Sequence, residues 1–365
     1  MSTYTTTPPT AVHTAFNPII YKITTDNPSE VYATIKVTHG LNIYELKKEF
    51  FNQVATFDLS SIIKRLFANT GGFLIGTDAF IDNRLFVNYS VEVDDGTQLF
   101  NTYHSAINAV TQQGFISSLV ARQGNFLTGF DTLKFYSGYP FSVSVLAFAG
   151  NNYYQKGSGS EISVNVNKGV YNIDLDNIDI PTFISQVSIM DETAGVNYLT
   201  DINGYFIVDD NGNPIIAEGG SGTPDLKVKN ITNECIPQHP FYVRWINDLG
   251  GWEYFMFSQR QFINTESEEV VTTNLYSEDN TSNEVLKILN IDGKGSITAG
   301  ADGISVNEFE TLKGLIFSPT IQYYNVDAVN FLPCYIDTMG ISQDNSIYTN
   351  NIEFTFVTDK IKTQF

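Results

Sequence analysis

Short runs of alternating apolar and polar residues recur along the whole 365-residue chain and constrain its fold more than any other feature. Residues 32–37 (YATIKV), 85–93 (LFVNYSVEV), 141–148 (FSVSVLAF) and 352–357 (IEFTFV) each repeat with period two, the signature of strands that bury one face. Between such runs sit clusters that tolerate positive φ or bond their own backbone: residues 94–96 (DDG), 138–140 (GYP), 150–152 (GNN), 209–214 (DDNGNP) and 219–222 (GGSG). Abundant Phe (27) and Tyr (20) beside only 16% charged residues fits the same reading. The expected fold class is mainly β, as two antiparallel sandwich- or barrel-like domains with a few short helices.

Three helices are expected. Asp58 can cap residues 59–67, where Ile62, Ile63, Leu66 and Phe67 share a face and Lys64 and Arg65 lie at the favourable end of the dipole. Ser305 and Glu308 form a capping box for a helix over 306–317, with Ile304 and Phe309 as its staple and Pro319 as its stop. A third, weaker pattern runs from Ser105 to Gln113. The Thr- and Pro-rich residues 1–15 read as an extended or disordered arm, with no secretory signal. The glycine–serine stretch at 156–160 divides a first β-domain, 16–157, from a second, 158–365. The x-Pro-Phe-x-Val echo at Tyr139 and His239 fits either a duplication or chance.

Forty Asp+Glu against twenty Lys+Arg leave a net charge of −20, which repels polyanions and excludes nucleic acid as a partner. No run is long and apolar enough for a membrane-spanning helix. Cys235 and Cys334 have no CxxC spacing; two buried thiols are the simpler expectation, with pairing left open.

No chemistry-bearing motif emerges. His13, His39, His104 and His239 share no short ligand spacing. The carboxylate pairs Asp94–Asp95 and Asp209–Asp210 sit beside Gly in turn contexts. An EF-hand starting at Asp209 fails, because Pro214 and Gly220 stand where Gly and Glu are required. Asp174 and Asp176 share a strand face that could hold a hard cation or simply guard an edge. With no nucleophile, base, metal cluster or cofactor loop to name, the expectation is a protein that is not an enzyme and uses no cofactor.

The densest aromatic segment is 240–257 (PFYVRWINDLGGWEYFMF), read as strand, turn at Asn247–Gly251, and strand. Tyr242, Arg244, Trp245, Trp252 and Tyr254 are its candidate interaction residues. They either stack on sugar rings or partners, or anchor a core, and the core reading is preferred.

This hairpin resembles a segment of structural proteins in the tail modules of tailed bacteriophages, particularly phages and prophages of Bacteroidetes-type bacteria. Residues 16–21 (FNPIIY), 57–67 (FDLSSIIKRLF) and 308–319 (EFETLKGLIFSP) with the strands that follow are similar in the same order. The resemblance implies a virion component of the tail or baseplate, repeated in a ring, made in the host cytoplasm and partnered by its own copies and other virion proteins. It carries over no active-site residue. A jelly-roll capsid or vertex protein and a carbohydrate-binding adhesin that takes a surface glycan are the alternatives.

Overall fold

The computed structural model describes residues 3–9, 12–67, 79–94, 99–109, 125–147, 150–156, 160–166, 169–175, 186–192, 228–275, 285–344 and 349–364. The turns expected at 209–214 and 219–222, and Asp95 and Asp176, lie outside them. The chain is mainly β and forms two compact units: residues 1–234 with 246–253, and residues 235–245 with 254–365.

Among the described residues, four sheets build the first unit. One orders β1 (Tyr4–Thr7), β3 (Ile20–Thr25) and β6 (Val54–Asp58). A five-stranded sheet orders β2 (Val12–Thr14), β9 (Leu99–Ile107), β8 (Phe86–Asp94), β4 (Tyr32–His39) and β5 (Asn42–Glu49). Alternation does here what it predicts: Ala33, Ile35 and Val37 of β4 and Tyr89, Val91 and Val93 of β8 are buried in one cluster with Tyr21, Ile23 and Phe57. Helix α1 (Ser60–Leu66) closes that cluster with Ile63 and Leu66. The N-cap position of the helix is Leu59, which makes no side-chain cap; the Asp58 carboxylate accepts the Ser60 N–H at 3.0 Å and the Ile19 N–H at 3.2 Å and so ties the start of the helix to the residue before β3.

The other two sheets order β10 (Asn125–Phe126), β12 (Ser142–Ala147), β15 (Gly169–Asp174) and β7 (Ala79–Ile81), and β11 (Thr132–Tyr136), β17 (Val228–Glu234), β16 (Gln186–Glu192), β13 (Gly150–Lys156) and β14 (Ser160–Val166).

Several expectations are revised. Residues 1–15 are not a free arm: β1 pairs antiparallel with β3 and β2 pairs parallel with β9, and Tyr4, Val12 and Ala15 are buried. Backbone pairing within the unit supplies the order that a Thr-rich segment cannot supply alone. Residues 105–107 form the end of β9 rather than a helix, since His104, Ser105, Ala106 and Ile107 are all buried and a helix would turn part of that run to solvent. The glycine–serine stretch at 156–160 joins two strands paired from Gly150–Val166 to Lys156–Ser160, a hairpin inside one unit; the chain divides after Glu234 instead. The parallel pairs β2–β9 and β11–β17 depart from an all-antiparallel plan.

The second unit is built on a seven-stranded sheet in the order β19 (Trp252–Phe257), β18 (Phe241–Ile246), β22 (Ile321–Asn325), β23 (Asn330–Asp344), β24 (Thr349–Gln364), β21 (Val285–Ile304) and β20 (Gln259–Leu275). Ile352, Phe354 and Phe356 of β24 bury alternate positions as expected. Helix α2 (Val306–Lys313) continues as a 3-10 turn to Phe317 and carries the complete capping box: Ser305 Oγ accepts the Glu308 N–H at 3.2 Å, and the Glu308 carboxylate accepts the Ser305 N–H at 2.9 Å. Ile304 and Phe309 are both buried, as a staple requires.

Candidate functional site

The aromatic segment forms the hairpin its pattern predicts, β18–turn–β19, yet none of its candidate interaction residues faces solvent. Tyr242, Arg244, Trp245, Trp252 and Tyr254 are 5% exposed or less. Both strands are buried on both faces, where alternation by itself implies one. Their two ends achieve this by different means.

At the strand end, in the second unit, aromatic rings pack on one another. Tyr242 and Tyr254 stack at 6.0 Å and both meet Phe331, at 6.1 and 6.2 Å. Phe241 meets Phe356 at 5.1 Å, and Phe257 meets Phe354 and Phe356 at 5.8 and 5.7 Å. Arg244 enters this apolar layer because its guanidinium lies 3.9 Å from the Phe331 ring centre and its Nε donates to Gln322 Oε1 at 2.7 Å. These are contacts of a core.

The hairpin tip, residues 246–253, belongs to the first unit, where two buried carboxylates organise it. Asp82 accepts from Arg84 Nε at 2.8 Å and Nη2 at 2.6 Å, from Asn172 Nδ2 at 2.9 Å, and from the indole Nε1 of Trp252 at 2.9 Å. Arg84 also lies 5.0 Å from the Trp252 ring. Ser144 Oγ donates to Asn172 Oδ1 at 2.6 Å and accepts the Trp252 backbone N–H at 2.9 Å. Burial pushes the Asp82 carboxyl up, but the hydrogen bonds and charge of Arg84, with the Trp252 indole, outweigh it and hold the group below the usual carboxylate range.

Glu253 is the second carboxylate. It accepts from Thr128 Oγ1 at 2.8 Å, from Asn247 Nδ2 at 2.8 Å and from the Gly129 N–H. Asn247 also donates to the Leu127 carbonyl and accepts the Gly251 N–H, both at 2.9 Å. Gly250 sits at φ +84°, and a Cβ on Gly251 would lie 2.1 Å from the Leu127 oxygen, so both positions require glycine. Asp82 and Glu253 each take three or more donors in buried surroundings. Their arrangement holds the turn; neither carboxylate is poised to accept a substrate proton.

Other sequence candidates find definite places. His13 and His104, far apart in the sequence, come within 6.1 Å, and Tyr89 donates to or accepts from His13 Nε2 at 2.8 Å. Long-range strand pairing brings them together, which residue spacing cannot reveal. Burial pushes the Tyr89 hydroxyl well up. Among the described residues no three His, Cys, Asp or Glu side chains gather in a way that could hold a metal ion. Asp174 is buried rather than lining an open edge. Cys235 and Cys334 are free thiols; Cys235 is exposed, against the expectation of burial, and burial pushes the Cys334 thiol up to about 12.

The second unit also presents open backbone among the described residues. Strands β20, β21, β23 and β24 run for 17, 20, 15 and 16 residues, roughly three times the usual length. Strand β20 ends the sheet order with β21 as its single neighbour among the described residues. The β20–β21 pairing runs from Gln259–Gly300 to Leu275–Val285, with register shifts that mark bulges.

No family model matches the chain, and no curated protein matches it. Solved structures supply likenesses. A chain from the virion of a native gene transfer agent particle is 13% identical, with 34% of this chain and 95% of that one covered, at a TM-score of 0.24. A chain from the tail of an empty gene transfer agent particle with C6 symmetry is 12% identical over 31% and 86%, at 0.23. A structure concerned with host cell surface retention of a 1.5-MDa bacterial ice-binding adhesin is 9% identical over 98% and 97%, at 0.18. With TM-scores this low, these likenesses are too weak to carry an assignment.

Proposed function

We propose that this chain is a non-enzymatic structural component of a tailed-phage virion, a tail or baseplate subunit that forms a ring with its own copies and docks on other virion proteins. The observation that carries the reading is the long edge of β20, which among the described residues has β21 as its single neighbour. Seventeen residues at about 3.3 Å each give an edge of about 55 Å along which half the backbone N–H and C=O groups point away from β21. Such an edge is a template for strand addition by a neighbouring chain. The resemblance of the hairpin, of α1 and of the α2 segment to tail-module proteins supports the same reading, and such a protein would be assembled in the host cytoplasm and reside in the virion. The adhesin alternative loses its motive at Trp245 and Trp252, which are buried.

Native mass spectrometry of the full chain at rising concentration tests this, with Asn264→Pro and Thr265→Pro alongside. Of two consecutive residues in an edge strand, one directs its N–H to β21 and the other outward. The expected result is a closed oligomer of the unmodified chain, and one proline variant that keeps its far-ultraviolet circular dichroism yet stays monomeric. An oligomer that survives in both well-folded variants removes the β20 edge as the interface, and a chain that is monomeric throughout removes self-assembly.

A further inference from the structure

The five-stranded sheet of the first unit carries a feature that neither the hairpin nor the β20 edge uses. Register pairs Thr38 with Ser90 and Ser90 with Tyr103, a row across β4, β8 and β9; Asn88 and Ser105 pair in the same face's next row. Around these residues lies an open cleft of about 470 Å³, within the range of small-molecule sites. Tyr103 is 76% exposed at its rim.

The cleft is built rather than incidental. Asn88 is an exposed residue held from two sides: Ser105, 3% exposed, donates its hydroxyl to Asn88 Oδ1 at 2.8 Å, and the His39 ring nitrogen lies 2.7 Å from the Asn88 carbonyl oxygen. Its amide nitrogen and the hydroxyls of Thr38, Ser90 and Tyr103 take no hydrogen bond within the described residues. Fixed donors need little further ordering on binding.

The lining decides the ligand class. Among the described residues no Lys, Arg, Asp or Glu borders the cleft and its one histidine, His104, is buried, so a phosphate finds no fixed cation there, a metal ion finds no carboxylate, and the net charge of −20 further disfavours anions. A wholly apolar ligand would strip water from four polar groups without replacing it. A neutral pyranose matches both sides: a C–H face for the Tyr103 ring and hydroxyls for Asn88, Ser90 and Thr38. From this geometry we infer that the outer face of the β4–β8–β9 strands binds a neutral saccharide, with Tyr103 as platform and Asn88 as orienting donor. The site is independent of the assembly role.

Saturation-transfer difference NMR on the full chain tests it, with methyl β-D-glucopyranoside, methyl β-D-galactopyranoside and N-acetylglucosamine as probes. Transfer to at least one probe is expected, with affinity falling about tenfold in Tyr103→Ala and in Asn88→Ala and kept in Tyr103→Phe. Tyr103 is exposed, so its variants fold, and thermal melts confirm that. Absence of transfer to all three at probe concentrations reaching tens of millimolar, about the weakest binding such contacts give, or transfer unchanged in Tyr103→Ala, overturns the assignment.

Discussion

The two ends of the β18–β19 hairpin are both buried, and they are buried by opposite physics. At the strand end, the rings of Tyr242, Tyr254, Phe331 and Phe356 pack on one another, and the charged group, Arg244, lies on a ring face and on Gln322. At the tip, Asp82 and Glu253 gather donors from four separate stretches of chain. The difference teaches that aromatic density marks this segment as buried without telling how. A packed layer tolerates small adjustments, whereas a buried ionic network is sensitive to the loss of any one member.

That contrast can be broken first at Asp82. Replacement by Ala leaves Arg84, 5% exposed, as a buried charge without its carboxylate and is expected to cost about 4 kcal/mol in urea unfolding followed by tryptophan fluorescence. The pH profile sharpens it. Because the folded carboxyl is depressed, its stabilisation is present above the unfolded value, about 3.8, and is lost as pH falls through the lower folded value. Wild type therefore loses stability in acid below about pH 4 by a term that Asp82→Asn lacks. Equal acid slopes in the two proteins would show that Asp82 does not act as an ion.

Phe331→Ala probes the other end. It removes the ring that meets Tyr242, Tyr254, Tyr324 and Arg244, and about 3 kcal/mol is expected from the same measurement, without the acid-dependent term. The smallest effect is expected from Trp252→Phe, which keeps most of the buried ring but deletes the indole donor to Asp82. About 1–2 kcal/mol follows from one lost charge-assisted bond. A loss as large as that of Asp82→Ala would mean that the ring, rather than the N–H, holds the tip.

Much of the local structure is legible in the sequence. The capping box at Ser305 and Glu308, the short helix after Asp58 and the strand–turn–strand of 240–257 are local, and each rests on residues within a few positions of one another. Over Ser105–Ile107 the helix pattern is overridden by pairing with β2 and β8, and residues 110–113 of that expectation lie outside the described residues. Residues 1–15 misled for the same reason, since a Thr-rich stretch is ordered only by strands elsewhere in the unit. The stretch at 156–160 reads as a linker by composition, yet the strands on either side of it pair with each other, because a turn and a linker ask for the same small residues.

The sequence by itself determined that the chain is mainly β, where its best helices start, and that residues 240–257 return on themselves, because period, caps and turns act over distances shorter than a strand. Only the tertiary structure decided that both faces of that hairpin are covered, that Asp82 meets Trp252, that His13 meets His104, and that Asn88 is locked beside an uncovered Tyr103. Those facts depend on which distant strands pair and in what register, and a one-residue slip would turn each of these side chains to the opposite face.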